Sequence, residues 1–173
     1  MSMIDLDDDP LSTAPERLAE LYGRPGFMIR RAHQITISVF QAHAGELGLT
    51  NTQFGVLYIL KRYPSIDQVT LAKLLRLDRS TTGTVVATLE SRGFVARDIG
   101  ESDRRRRVLA LTREGESMLS QVQQKSAGTS GTLLAALSPA EREMFLELLG
   151  RVVSHFETGP GAGQVNASDS SNS

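Results

Sequence analysis

The sequence contains no cysteine, which excludes a disulfide framework, a thiolate zinc site and a thiol redox switch. It also lacks any run near the ~18 consecutive apolar residues of a membrane span. Its opening stretch, MSMIDLDDDP, carries acid where a secretory leader needs base and an apolar core. A soluble protein of the cytoplasm is expected. Enzyme signatures are missing too: no phosphate loop, no H-E-x-x-H, no G-x-S-x-G elbow and no G-x-G-x-x-G fingerprint. His33, His43 and His155 have none of the close spacing of a metal site, so neither a metal nor another cofactor is expected. Finally, there is no basic excess. With 19 Lys and Arg against 20 Asp and Glu the formal charge is -1, and the pI near 6.3 argues at first sight against a nucleic-acid partner.

What is present reverses that last inference. The length of 173 residues and 40% hydrophobic content suit one domain with extra helices. Asp5, Asp7, Asp8, Asp9 and Asp169 lie in an acidic head (residues 1–15) and a Gly/Ser/Asn-rich tail (158–173), both expected to be disordered. Residues 11–157 then carry 19 basic and 15 acidic groups, a net of +4. Between Lys61 and Arg113 there are 12 basic residues against 6 acidic ones, so +6 resides in 53 residues.

The patterning between head and tail is helical. Pro25 opens a helix to about Leu47, before Gly48. One of its faces carries Met28, Ala32, Ile35, Val39 and Ala42. The other carries Ile37, Phe40, Ala44 and Leu47, with Arg30 and His33 at the same spacing, so the helix is expected to lie between two bodies. Thr50 and Gln53 form a capping box for a second helix ending before Pro64. Asp67 and Asp78 cap two short helices, the second closing at Gly93. The period then changes to two strands, FVARDI and VLALT, around the polar tip GESDRRRR. Thr112 starts a further helix, expected to be long and bent at Gly128 and Gly131. Ser138, Pro139 and Glu141 start a last one with the stripe Phe145, Leu148, Leu149, Val152, Val153 and Phe156.

This order predicts a mostly α fold: a winged helix-turn-helix over residues 50–112 with a two-stranded β-hairpin wing, and N- and C-terminal helices (16–49 and 113–157) forming a dimerisation body. The second helix of the pair would enter the major groove with Arg79, Ser80, Thr81, Thr82, Gly83, Thr84 and Thr88 outward, small side chains that approach bases closely. Taken alone, a Thr-rich helix start also fits a capped surface helix. Arg104, Arg105, Arg106 and Arg107 at the hairpin suit a narrow minor groove, with Asp103 expected to pair with Arg105 or to cap the turn, fixing the direction of the guanidinium. An apolar stripe on the last helix calls for a two-fold mate or an intramolecular cap.

The segment LDRSTTGTVVATLESRGFVARDIGESDRRRRVLALTREG resembles the MarR family of bacterial transcription regulators. The likeness runs from about Pro25 to Glu157 and is most specific at Asp103-x-Arg105, Val108-x-x-Leu111-Thr112 and Leu89-Glu90-x-x-Gly93. It implies an obligate homodimer on pseudopalindromic double-stranded DNA, usually a repressor, with Arg105 at the minor groove. Many relatives carry a longer basic residue where this chain has Thr84, so base contacts do not carry over there. The resemblance also implies a small-molecule pocket for phenolic or aromatic carboxylate ligands between dimer body and winged domain. Arg30 or Arg31 would supply the guanidinium, His33, Ile37 and Phe40 one wall, and Phe54 and Tyr58 the other. A coenzyme A thioester is a variant, its phosphates met by Arg17, Arg24 and Arg31. The bland alternatives are a partner-subunit ion pair for Arg30 and an interface role for His33. A winged-helix interaction module that never touches DNA is the alternative function.

Overall fold

The structure is a computed structural model that describes residues 18–99 and 107–158. Its elements follow from caps. A single turn, α1 (Ala19–Tyr22), precedes α2 (Pro25–Ala44), which starts on Pro25 and tightens into a 3-10 turn, Gly45–Leu47, that ends at Gly48 with φ of 65°. Thr50 and Gln53 close the expected capping box at the head of α3 (Asn51–Arg62): Gln53 N–H donates to Thr50 Oγ1 at 3.2 Å and Thr50 N–H to Gln53 Oε1 at 3.0 Å. Asp67 caps α4 (Gln68–Leu75) and Asp78 caps α5 (Arg79–Ser91).

Gly93, at φ of 75°, turns the chain into β1 (Val95–Ile99), which pairs antiparallel with β2 (Arg107–Leu111), Val95 opposite Leu111 and Ile99 opposite Arg107. On the other edge of β2, Leu109 N–H donates to Ile66 O at 2.8 Å, which ties the α3–α4 loop to the wing's root. Thr112 caps α6 (Arg113–Ser126), and its hydroxyl also donates to Gly93 O at 2.6 Å. Gly115 in the first turn of α6 lies on the Phe94 carbonyl so closely that a Cβ would come within 2.0 Å of that oxygen. The expected long bent helix is not formed. It stops at Ser126, and a separate turn, α7 (Thr129–Leu133), follows. Gly128 and Gly131 each cost about 1 kcal/mol of helix propensity, and the chain breaks beside the first of them.

By compactness the chain divides into residues 1–129 and 130–173. The first body has one continuous core to which every element from α2 to α6 contributes: Phe40 and Ala44; Val56, Leu57 and Leu60; Leu71; Val86 and Leu89; Val95; Leu109; Leu119 and Val122. The two-faced α2 is covered only on its last turns. Phe40 and Ala44 are buried, whereas Met28, Ile35 and also Ile37 of the expected inner face stay exposed. The second body contains α8 (Pro139–Glu157), opened by a capping box from Ser138 and Glu141. No residue of α8 is buried, and Phe145, Leu148, Leu149, Val152, Val153 and Phe156 are all exposed. Among the described residues no helix is long and apolar enough to cross a membrane.

Candidate nucleic-acid interface

Helix α5 is built to present its start. Asp78 accepts the Thr81 hydroxyl at 2.6 Å and the Thr81 N–H at 2.7 Å. These bonds, the hydroxyl's first, hold the Asp78 carboxyl below the usual carboxylate range. Arg79, Ser80, Thr81, Thr84 and Thr88 are exposed on this helix as expected, and Val86 and Leu89 anchor its other side in the core. Thr82 is a correction. It is fully buried and its hydroxyl donates to Asp78 O at 2.8 Å, so it cannot reach a base. Gly83 is half-buried. The hydroxyls of Thr84 and Thr88 turn back onto Ser80 O at 3.2 Å and Thr84 O at 2.9 Å, which commits their protons to the helix and leaves lone pairs and methyls for a ligand.

The wing is described at its root. Arg107 opens β2 and is exposed, while Asp103, Arg104, Arg105 and Arg106 lie outside the described residues. The local charge of +6 overstates what faces outward, because the fold uses part of it. Arg97 Nε donates to both oxygens of Glu90 at 2.8 Å and its Nη1 to Gln68 Oε1 at 3.2 Å. Arg92 donates to Gly48 O at 2.6 Å and Leu47 O at 3.2 Å and stacks on Phe94. Lys61 pairs with Glu116 at 2.6 Å. Arg79 and Arg107 make no such bond among the described residues.

The residues expected around a ligand separate into two groups. Phe40, Phe54 and Tyr58 form one aromatic run, with centroids 5.9 and 6.1 Å apart. Arg62 continues it, its guanidinium 5.4 Å from the Tyr58 ring centre. Phe40 is buried in the core rather than lining an open slot. Arg30, Arg31 and His33 are exposed further up α2: Arg30 lies over Phe27 at 4.9 Å, and Arg31 reaches Gln34 at 3.4 Å. Seven residues of helix, about 10 Å, part His33 from Phe40. Among the described residues no group of three His, Asp or Glu is placed to hold a metal. Sequence reasoning missed Arg62, Arg92 and Arg97. Arg62 sits one turn from Tyr58, a spacing visible in the sequence; Arg92 and Arg97 act across 44 and 29 residues, with no local signal.

Comparison with known proteins places this geometry. The sequence model of the MarR family matches residues 49–106. The chain is similar to the transcriptional regulator HosA of Escherichia coli O127:H6, 32% identical over 127 residues, 70% of this chain and 93% of that protein. Among solved structures it is similar to the transcriptional repressor CouR bound to a 23-mer DNA duplex (28% identity, TM-score 0.73, 79% of this chain and 96% of the other). A second is Bordetella bronchiseptica BpsR, whose DNA binding is regulated by 6-hydroxynicotinic acid (26% identity, TM-score 0.72, 76% and 94%).

Proposed function

The chain belongs to the MarR family of transcriptional regulators, and from that premise we propose that it is a repressor that holds a pseudopalindromic operator as a homodimer and is released by an aromatic carboxylate or its coenzyme A thioester. The observation that carries this reading is α5, capped by Asp78, with Arg79, Ser80, Thr81, Thr84 and Thr88 exposed beside a two-stranded wing. Such a helix enters the major groove by its N-terminal half, and the wing arginines, Arg104 to Arg107, take the backbone or the adjacent minor groove. The exposed apolar faces of α2 and α8 are the surfaces a second copy covers. The winged-helix body at 50–112, with dimerisation helices on both sides, is the division of labour this implies.

The effector class is supported by chemistry on α2 and α3 and by BpsR, regulated by an aromatic acid. Arg30 and Arg31 offer guanidinium groups suited to a carboxylate, His33 and Ile37 lie beside them on α2, and Phe54 and Tyr58 offer aromatic surface on α3. Helix α2 touches the winged body through Phe40 and Ala44 and leaves its other face for the partner, so a ligand against it biases the spacing of the two recognition helices. Moving a population from mostly bound to mostly free requires about 5 kcal/mol of differential affinity.

Duplex binding followed by fluorescence anisotropy across a salt series tests the proposal. The wild type should lose affinity steeply with salt, and Arg105→Ala should weaken it and flatten the slope by about one phosphate equivalent or less. Salt-independent or absent binding would point to an interaction module instead. Aromatic acids or thioesters that bind tightly but leave duplex affinity unchanged would remove the effector assignment.

A further inference from the structure

A chain of contacts fixes one amide at the junction of α4 and α5. Arg97 carries only donors, and it is locked against Glu90 of α5 through its Nε. Its Nη1 reaches Gln68, the first residue of α4, at 3.2 Å. A guanidinium can be met only by the amide's oxygen, so the Gln68 NH2 must point the other way. It points over Gly83: a Cβ on Gly83 would lie 3.1 Å from Gln68 Nε2. No hydrogen-bond acceptor for that NH2 is found among the described residues, and Gln68 is only half-buried.

The location carries meaning. Gly83 lies in the N-terminal half of α5, the part that enters the groove, and the first helix of such a pair crosses the sugar-phosphate backbone. An amide with its oxygen occupied by Arg97 and its nitrogen held over Gly83 has two N–H donors to offer where these helices meet a duplex. We infer that Gln68 donates to a backbone phosphate of the bound duplex and that Arg97, backed by Glu90, is the positioning residue that turns it. This inference rests on the DNA-binding reading above. It assigns Gly83 a purpose as well: a larger residue would push the amide off its line.

Such a contact is neutral and sequence-blind, so its loss should weaken a random-sequence duplex and the operator alike. Gln68→Met in the full chain should reduce affinity for a random 25-base-pair duplex about tenfold, the worth of a hydrogen bond to a charged group. Gln68→Glu keeps the acceptor for Arg97 but puts a carboxylate against the phosphate, and should lose more. Gln121→Glu, which adds the same charge at an exposed position of α6, should change affinity by less than about twofold. Gly83→Ala should hold or raise the melting temperature through helix propensity while lowering affinity, and combining it with Gln68→Met should add nothing further, because both act through one amide.

The inference is overturned if Gln68→Met and Gln68→Glu bind as the wild type does, if Gln121→Glu loses as much as Gln68→Glu, or if the losses from Gly83→Ala and Gln68→Met add. A wild-type chain that binds no duplex overturns the DNA-binding reading itself, and this inference with it; the wild-type titration separates the two failures.

Discussion

The winged body and α8 are capped by the same chemistry and differ in what they bury. Each helix from α3 to α6 starts on a Thr or Asp side chain that accepts a backbone N–H, and α8 starts on a full capping box. Yet α3 alone buries Val56, Leu57 and Leu60, while the 19 residues of α8 bury none. Local signals decide where a helix begins; burial decides whether it persists, since helical stability in proteins comes mainly from packing an amphipathic face. The winged body closes its core within itself, and α8 carries a comparably apolar stripe that stays exposed among the described residues. That stripe exceeds the scattered single exposures of a normal surface, and on the proposed reading it is the face a second copy covers.

The largest effect on duplex binding should come from charging that face. Leu148→Asp with Val152→Asp places two carboxylates in the stripe, and sedimentation should show a monomer whose affinity for a palindromic duplex has fallen by about 100-fold or more, close to 3 kcal/mol. The winged body should stay folded by circular dichroism. Next, the same truncation in both regions sharpens the contrast. Leu57→Ala should destabilise by about 2–5 kcal/mol, independently of protein concentration, whereas Leu149→Ala should lower a melting temperature that depends on concentration. Gly115→Ala, which drives a methyl into the Phe94 carbonyl, should cost about 1–3 kcal/mol in thermal melts of either oligomeric state. Smaller still is the acid response. The carboxyls of Asp78 and Glu141 are both held below their usual range by their cap bonds, chiefly to the hydroxyls of Thr81 and Ser138. Their contribution is present above about pH 4–5 and is lost as pH falls through the lowered values. Asp78→Asn with Glu141→Gln should therefore melt less steeply with acid than the wild type, while a parallel fall would show that the caps carry no pH dependence.

The caps were legible because each is a bond within three residues: Thr50, Asp67, Asp78, Thr112 and Ser138 all stand where their side chains say. The hairpin was legible from the change of period after Gly93. Thr82 was misplaced although the sequence held the clue, since residues 82, 86 and 89 share one helical stripe with the core side chains Val86 and Leu89. The roles of Arg92 and Arg97 were illegible for another reason. Their partners come from distant segments, and a count of basic residues treats a guanidinium that braces the fold like one that faces a phosphate. Arg30, Arg31 and His33 share α2 with Phe40, but they are exposed where Phe40 is buried in the core, a difference that helical spacing alone does not show.

The most direct test of a two-fold operator reader is to select a duplex from a random library with the full chain and measure stoichiometry and footprint on it. Two chains per duplex are expected, protecting an inverted repeat whose half-sites lie about 10 base pairs apart, one helical turn. One chain bound to a single half-site, with no inverted repeat in the selected sequences, would contradict it.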